Sequence, residues 1–184
     1  MCLDISKVYH KKHHAAEEDY REVFVAEEPI LVIKGLDLYR DASSGTPVYR
    51  LESPYRNYKW EFEKPEYANM RTRAYGMRLD IGTGVHAFVS LEQFYGYFWT
   101  VLSYYEASQM LNDNAALDVW YEKGATRGDA IPFPAVIPKG AKFWVGDAGD
   151  ICADGMTVYP SLNAVRAANG GELPVWAGTY IDAL

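Results

Sequence analysis

Tyr49, Arg50, Tyr55, Arg56, Tyr58 and Trp60 bring aromatic faces and guanidinium groups together within a dozen residues. Such a set can stack a planar ring and pair a phosphate, because a guanidinium is flat, permanently charged and forked to match an oxyanion. Tyr49, Arg50, Tyr55, Arg56 and Tyr58 are therefore the candidate ligand-binding residues, for a nucleotide-like ligand. The alternative is a surface hairpin whose aromatics cover the edge of the core.

Other spacings carry less. His10, His13 and His14 form H-x-x-H-H, which on a helix would put His10 and His14 on one face at a zinc-holding interval. No acidic third ligand stands at a fixed offset, so no metal is expected, and a solvated polar arm is the simpler reading. Asp147, Asp150 and Asp154 crowd a glycine-containing loop that could offer oxygens to a hard cation, but without the spacing of a calcium-binding loop. Gly82-Thr83-Gly84 lacks the third glycine of a dinucleotide fingerprint. Arg127-Gly128-Asp129 is a three-letter string that chance supplies. His86, the one histidine outside the first 28 residues, lies within an apolar run; a satisfied core histidine is the simpler reading there, and it is the first candidate acid or base to test. No phosphate loop and no nucleophile elbow is present, so no catalytic set is complete.

These residues must be positioned by a small fold. The chain has 184 residues and a formal charge of -7, with 49% hydrophobic and 23% charged residues, which fits one packed domain. The acidic balance opposes a sequence-independent grip on duplex nucleic acid, and no apolar run approaches a bilayer span. Two cysteines far apart, Cys2 and Cys152, and an opening stretch without a basic-then-apolar pattern lead to the expectation of a reducing cytoplasm. Aromatics are in excess, with 15 Tyr, 7 Phe and 5 Trp.

Residues 1–28 read as an N-terminal helical arm and 29–184 as a single α+β domain of mainly antiparallel strands. Ile30–Ile33 and Asp37–Arg40, separated by Gly35, read as strand, and the turn at Ser43–Pro47 leads to Val48–Leu51 as a hairpin partner. Lys59–Glu63, Met77–Ile81 and Val85–Val89 alternate as further strands. Ser90 with Gln93 forms a capping box ahead of Leu91, Phe94, Tyr95, Phe98, Val101, Leu102 and Tyr105, one stripe of a long aromatic helix reaching about Leu111. Pro132–Ile137 and Lys142–Gly146 read as two strands around a tight turn, and Met156–Tyr159 as another. Ser161 caps a short helix that ends at Gly170-Gly171, and the tail from Leu173 is apolar enough to dock.

The blocks Val48–Arg50, Ser53–Glu61, Gly84–Phe88 and Val136–Gly146, in that order, resemble a group of small uncharacterised proteins of bacteriophages and prophages. The resemblance spans Val48 to Tyr159 and implies a phage or mobile-element origin and an α+β fold. Gly82–Phe88 followed by a helix bearing Tyr95 and Tyr97 is, more remotely, similar to the strand-to-helix segment of the ADP-ribosyltransferase fold. That similarity implies His86 at a pocket position, Arg50 on an early strand that touches NAD, and Asp154 near the place of the catalytic glutamate. The expected function is a phage accessory protein in the bacterial host cytoplasm that binds a host defence protein or a nucleotide-like ligand, without a cofactor. The alternatives are an ADP-ribosyltransferase-like or NAD-cleaving enzyme, with NAD as its cofactor, and a virion component.

Overall fold

The computed structural model describes residues 3–5, 23–54, 58–68, 72–75, 78–81, 84–98, 102–112, 117–146 and 149–184. The fold is α+β and mostly antiparallel, as expected. Its centre is β3 (Ile30–Asp41), whose first residues, Ile30 to Ile33, are fully buried. An apolar run with both faces covered behaves as an internal strand. Along one side β3 pairs with β10 (Ile131–Ile137), from Ile30 opposite Ile137 to Leu36 opposite Ile131. Its other side is shared. The far half takes β4 (Val48–Glu52) across the Ala42–Pro47 turn, Ile33 meets Phe88 of β9 (Val85–Phe88), and Ile30 and Leu31 pair in parallel with β14 (Val175–Trp176).

The remaining strands are β1 (Leu3–Ile5), β2 (Phe24–Val25), β5 (Lys59–Trp60), β6 (Pro65–Tyr67), β7 (Thr72–Tyr75), β8 (Arg78–Ile81), β11 (Lys142–Val145), β12 (Asp150–Ala153) and β13 (Gly155–Val158). The larger sheet runs β2-β11-β12-β9-β3-β10-β13-β6, with β4, β5 and β14 attached, and β1-β8-β7 form a smaller one. At Asp154 the chain leaves the β11-β12-β9 half and enters the β10-β13-β6 half. Among the described residues five α-helices cover the sheet: α1 (Leu91–Tyr97), α2 (Tyr104–Asn112), α3 (Leu117–Lys123), α4 (Leu162–Ala168) and α5 (Ala177–Asp182).

Several expectations need correction. Gly35 does not interrupt β3. A Cβ there would lie 2.8 Å from Phe98 Cε2 and 2.9 Å from Phe94 Cε2, so the glycine lets the α1 aromatics rest on the strand backbone. The long aromatic helix is two helices. Ser90 caps α1 as expected, its Oγ accepting from the Gln93 N–H at 3.3 Å. Phe98 then turns extended, and its ring stays beside Phe94 and Phe88, at 5.0 and 5.8 Å between centroids. A second capping box restarts the chain: Ser103 Oγ accepts from the Glu106 N–H at 3.2 Å, and the Glu106 carboxylate accepts from the Ser103 N–H at 3.1 Å. Tyr105, placed by periodicity on the buried stripe, is 70% exposed.

β10 and β11 are not paired with each other. The turn between them, with Gly140 left-handed at φ +86°, hands the chain to β2: the Gly140 N–H donates to Ala26 O and the Ala26 N–H to Ala141 O. Seven residues of β10 are already matched to β3, so β11 goes to the outer half of the sheet. Lys59–Glu63 is strand only at Lys59–Trp60, and Glu63 takes a left-handed φ of 60°. Of the expected N-terminal helix, the described ends are strands: β1 lies against β8, and β2 against β11, where Phe24 stacks on Phe143. Residues 6–22, with His10, His13 and His14, lie outside the described residues. The C-terminal expectations hold. Ser161 Oγ accepts from the Ala164 N–H, Gly170 and Gly171 are left-handed, and the tail docks through β14 and α5. Among the described residues, no helix is long and apolar enough to cross a membrane.

Candidate functional site

The hairpin β3–β4 positions Tyr49 and Arg50, and strand alternation sends them to opposite faces. The Tyr49 hydroxyl donates to Asp118 Oδ1 on α3. The same carboxylate takes Arg40 Nη1 at 3.3 Å, Arg40 Nη2 reaches Glu122 at 2.8 Å, and the Arg40 guanidinium lies 4.3 Å from the centre of the Tyr121 ring. Arg50 turns back to Asp41, 3.3 Å away. Just before β5, Tyr58 donates to Glu66 at 2.8 Å and sets its ring edge to Trp60, which in turn donates to Ser53 Oγ. That hydrogen bond to Glu66, assisted by partial burial, raises the Tyr58 hydroxyl above the ordinary tyrosine value. Tyr55 and Arg56 lie outside the described residues. The described members of the aromatic–arginine set thus divide between two faces, with Arg50 engaged by Asp41 and the nearby Arg40 by Asp118 and Glu122.

His86 occupies a different place. Direct cross-strand pairs put Trp144, Cys152 and His86 in one row across β11, β12 and β9, with Cys152 Sγ 3.8 Å from His86 Nε2. Next to this row β9 meets β3 at Ile33–Phe88, and Lys34 fills the space where the ladder does not continue. Its ammonium donates to the His86 carbonyl at 2.5 Å and stands 5.2 Å from the centre of the Trp60 ring. Lys34 is 7% exposed, and burial lowers it from the ordinary 10.5 to about 8, with Cys152 acting in the opposite direction. The sequence marks Lys34 plainly, as a charge inside Ile30–Leu36, yet periodicity alone gives no reason to join it to His86 and Cys152, which lie 52 and more residues away.

Asp154 is at a third place, the β12–β13 junction. Its backbone N–H donates to Lys142 O, its carbonyl accepts from the Ala68 N–H, and Oδ1 accepts from the Lys142 N–H, each at 2.9 Å. It lines an open cavity of about 620 Å³ with Tyr67, Ala68, Pro138, Lys139, Gly140 and Ala141. Asp150 begins β12 and Asp154 follows its end, while Asp147 lies outside the described residues. Among the described residues no group of three His, Cys, Asp or Glu side chains is placed to hold a metal.

Arg50 and His86 therefore do not form one site. From Lys34, beside His86, to Tyr39, opposite Arg50, is five residues of strand, roughly 17 Å at about 3.4 Å per residue. The surface instead concentrates tyrosine at the α1–α2 corner. Tyr97, Tyr104 and Tyr105 are 44%, 47% and 70% exposed, and Tyr104 lines an open groove of about 380 Å³ with Leu91, Leu111, Leu162 and Trp176. No family model, no curated protein and no solved structure matches the chain.

Proposed function

We propose that this chain is a phage-encoded accessory protein that acts in the bacterial host cytoplasm by binding a host protein, through the tyrosine-rich corner formed by α1 and α2. The observation that carries the reading is the exposure of Tyr97, Tyr104 and Tyr105 beside an apolar groove. Tyrosine gives a large, stiff contact surface with a polar end and is enriched where proteins meet. The arginines near Tyr49 are held by Asp118, Glu122 and Asp41, so pairing a phosphate there requires breaking existing ion pairs, which favours a protein partner over a nucleotide-like one. The phage origin is supported by the order of the sequence blocks from Val48 to Tyr159. The test is capture from a bacterial lysate on the immobilised protein, followed by reconstitution with the identified partner. Wild type retains a host protein, and the triple variant Tyr97→Ser, Tyr104→Ser, Tyr105→Ser loses it while keeping its unfolding midpoint. Equal retention by the variant overturns the assignment.

A second reading, an ADP-ribosyltransferase-like or NAD-cleaving enzyme, is supported by the remote sequence similarity of Gly82–Phe88 to the strand-to-helix segment of that fold and by the passage from β9 into α1. The separation of Arg50 from His86 weighs against it. Absence of nicotinamide release from NAD in a lysate, or release unchanged by His86→Ala, removes it.

A further inference from the structure

We propose that the open cavity lined by Tyr67, Lys139 and Asp154 binds a free α-amino acid with a planar side chain, as the zwitterion. Its volume, about 620 Å³, is within the range of roughly 300–1,000 Å³ that small-molecule sites occupy. Three backbone-anchored hydrogen bonds fix Asp154, and Oδ1 is used in one of them. Among the described residues, no group bonds Oδ2, and neither Asp154 nor Lys139 belongs to an ion pair. Lys139 projects from the turn closed by the Ala141 N–H on Pro138 O. Tyr67 is 72% exposed and forms one wall; its ring edge comes within 3.2 Å of where a Gly155 side chain would begin, so the glycine lets the ring lie against the β13 backbone.

The lining thus offers one fixed carboxylate, one exposed ammonium and one aromatic face. A simple cation meets Lys139 and a simple anion meets Asp154, each with the wrong sign. A zwitterion meets both with the right one: its ammonium on Asp154, its carboxylate on Lys139, its ring on Tyr67. Such a ligand has no net charge, so the formal -7 of the chain neither attracts nor repels it at long range. This site is separate from the α1–α2 corner and does not depend on the protein-binding reading.

The test titrates the full chain with L-tryptophan, tryptamine and indole-3-propionate by calorimetry. Tryptophan binds, and loss of either its carboxylate or its ammonium weakens binding about tenfold or more. Asp154→Asn, which keeps an oxygen for the Lys142 N–H, removes the advantage of tryptophan over indole-3-propionate. Lys139→Met removes its advantage over tryptamine, and Tyr67→Ala weakens all three ligands. Lys139 is exposed, so its variant carries the test even if Asp154→Asn unfolds the chain. No binding of tryptophan at millimolar concentration, equal binding of the three ligands, or tighter binding of adenosine monophosphate than of tryptophan overturns the proposal.

Discussion

Replacing Lys34 by methionine changes how the stability of this fold depends on pH. The ammonium is buried against the His86 carbonyl and the Trp60 ring, and burial lowers it to about 8 from an ordinary 10.5. Between those two values the unfolded chain holds the proton and the folded chain has released it, so the unfolded state binds more protons and stability rises with pH. At about 1.4 kcal/mol per pH unit, the window contributes about 3 kcal/mol, fully expressed only above pH 10.5 and absent below pH 8. Tyr39, Tyr58 and Tyr159, all raised in the folded state, act in the opposite sense at the alkaline end. Taking the difference between wild type and Lys34→Met removes them. Placing both proteins in a Cys152→Ala background removes the thiol, which faces Lys34 from β12. The absolute change at neutral pH is small, because methionine relieves the desolvated charge but removes the hydrogen bond from Lys34 to the His86 carbonyl, a cost of about 1–3 kcal/mol. The pH slope is therefore the diagnostic quantity. Urea unfolding at about pH 7, 8.5 and 10 should show wild type gaining about 2–3 kcal/mol on the variant. A difference constant within about 0.5 kcal/mol refutes the burial of a charged Lys34 as the source.

Gly35→Ala drives a methyl against two buried phenylalanine rings, so it should destabilise by about 1–3 kcal/mol despite the entropy advantage of alanine, with Phe98→Leu recovering part of the loss in a double-mutant cycle of urea midpoints. Ser103→Ala removes the α2 cap and should cost about 1 kcal/mol, read as lower helicity and a lower Tm. The bonds from Ser103 hold the Glu106 carboxyl below the ordinary carboxylate range, so the stability that this contact contributes is present at neutral pH and lost as pH falls through the folded value; Glu106→Gln should flatten that acid limb in a pH series of unfolding midpoints. Trp120→Ala empties a fully buried site beside Phe133 and should cost about 3–5 kcal/mol in the same assay.

The legible parts of the fold are those set by local chemistry. The Ala42–Pro47 turn, the Ser90 and Ser161 caps and the Gly170-Gly171 stop all lie where the residue types placed them, because each is fixed by one or two hydrogen bonds or by a positive φ. Periodicity does not reveal the break at Phe98, because the ring satisfies the aromatic cluster from an extended backbone as well as from a helix, and the apolar stripe conceals the second start at Ser103-x-x-Glu106. Strand partners were not readable: β10 and β11 are adjacent in sequence, yet Ala26 draws them to opposite halves of the sheet. For the site, residue type identified Tyr49, Arg50, His86 and Asp154 as chemically able. Only tertiary geometry shows that Asp118 and Asp41 occupy the first two, and that Lys34 and Cys152 are the neighbours of the third.

The central strand also sets a hazard during synthesis. β3 receives β4 promptly, but its long side waits for β10, whose partners stand about a hundred residues later in the chain. At a translation speed of about 5–20 residues per second, that edge stays open for roughly 5–20 s on the ribosome. Ile30–Leu36 would then be a β-branched, apolar segment with the composition that seeds intermolecular pairing. Lys34 interrupts it. On the unfolded chain the side chain is fully charged and guards the segment against self-association; in the folded state the same charge is the one that destabilises the core. A methionine at this position, nearly neutral for the purified protein at pH 7, should thus show its cost as inclusion bodies in the cell.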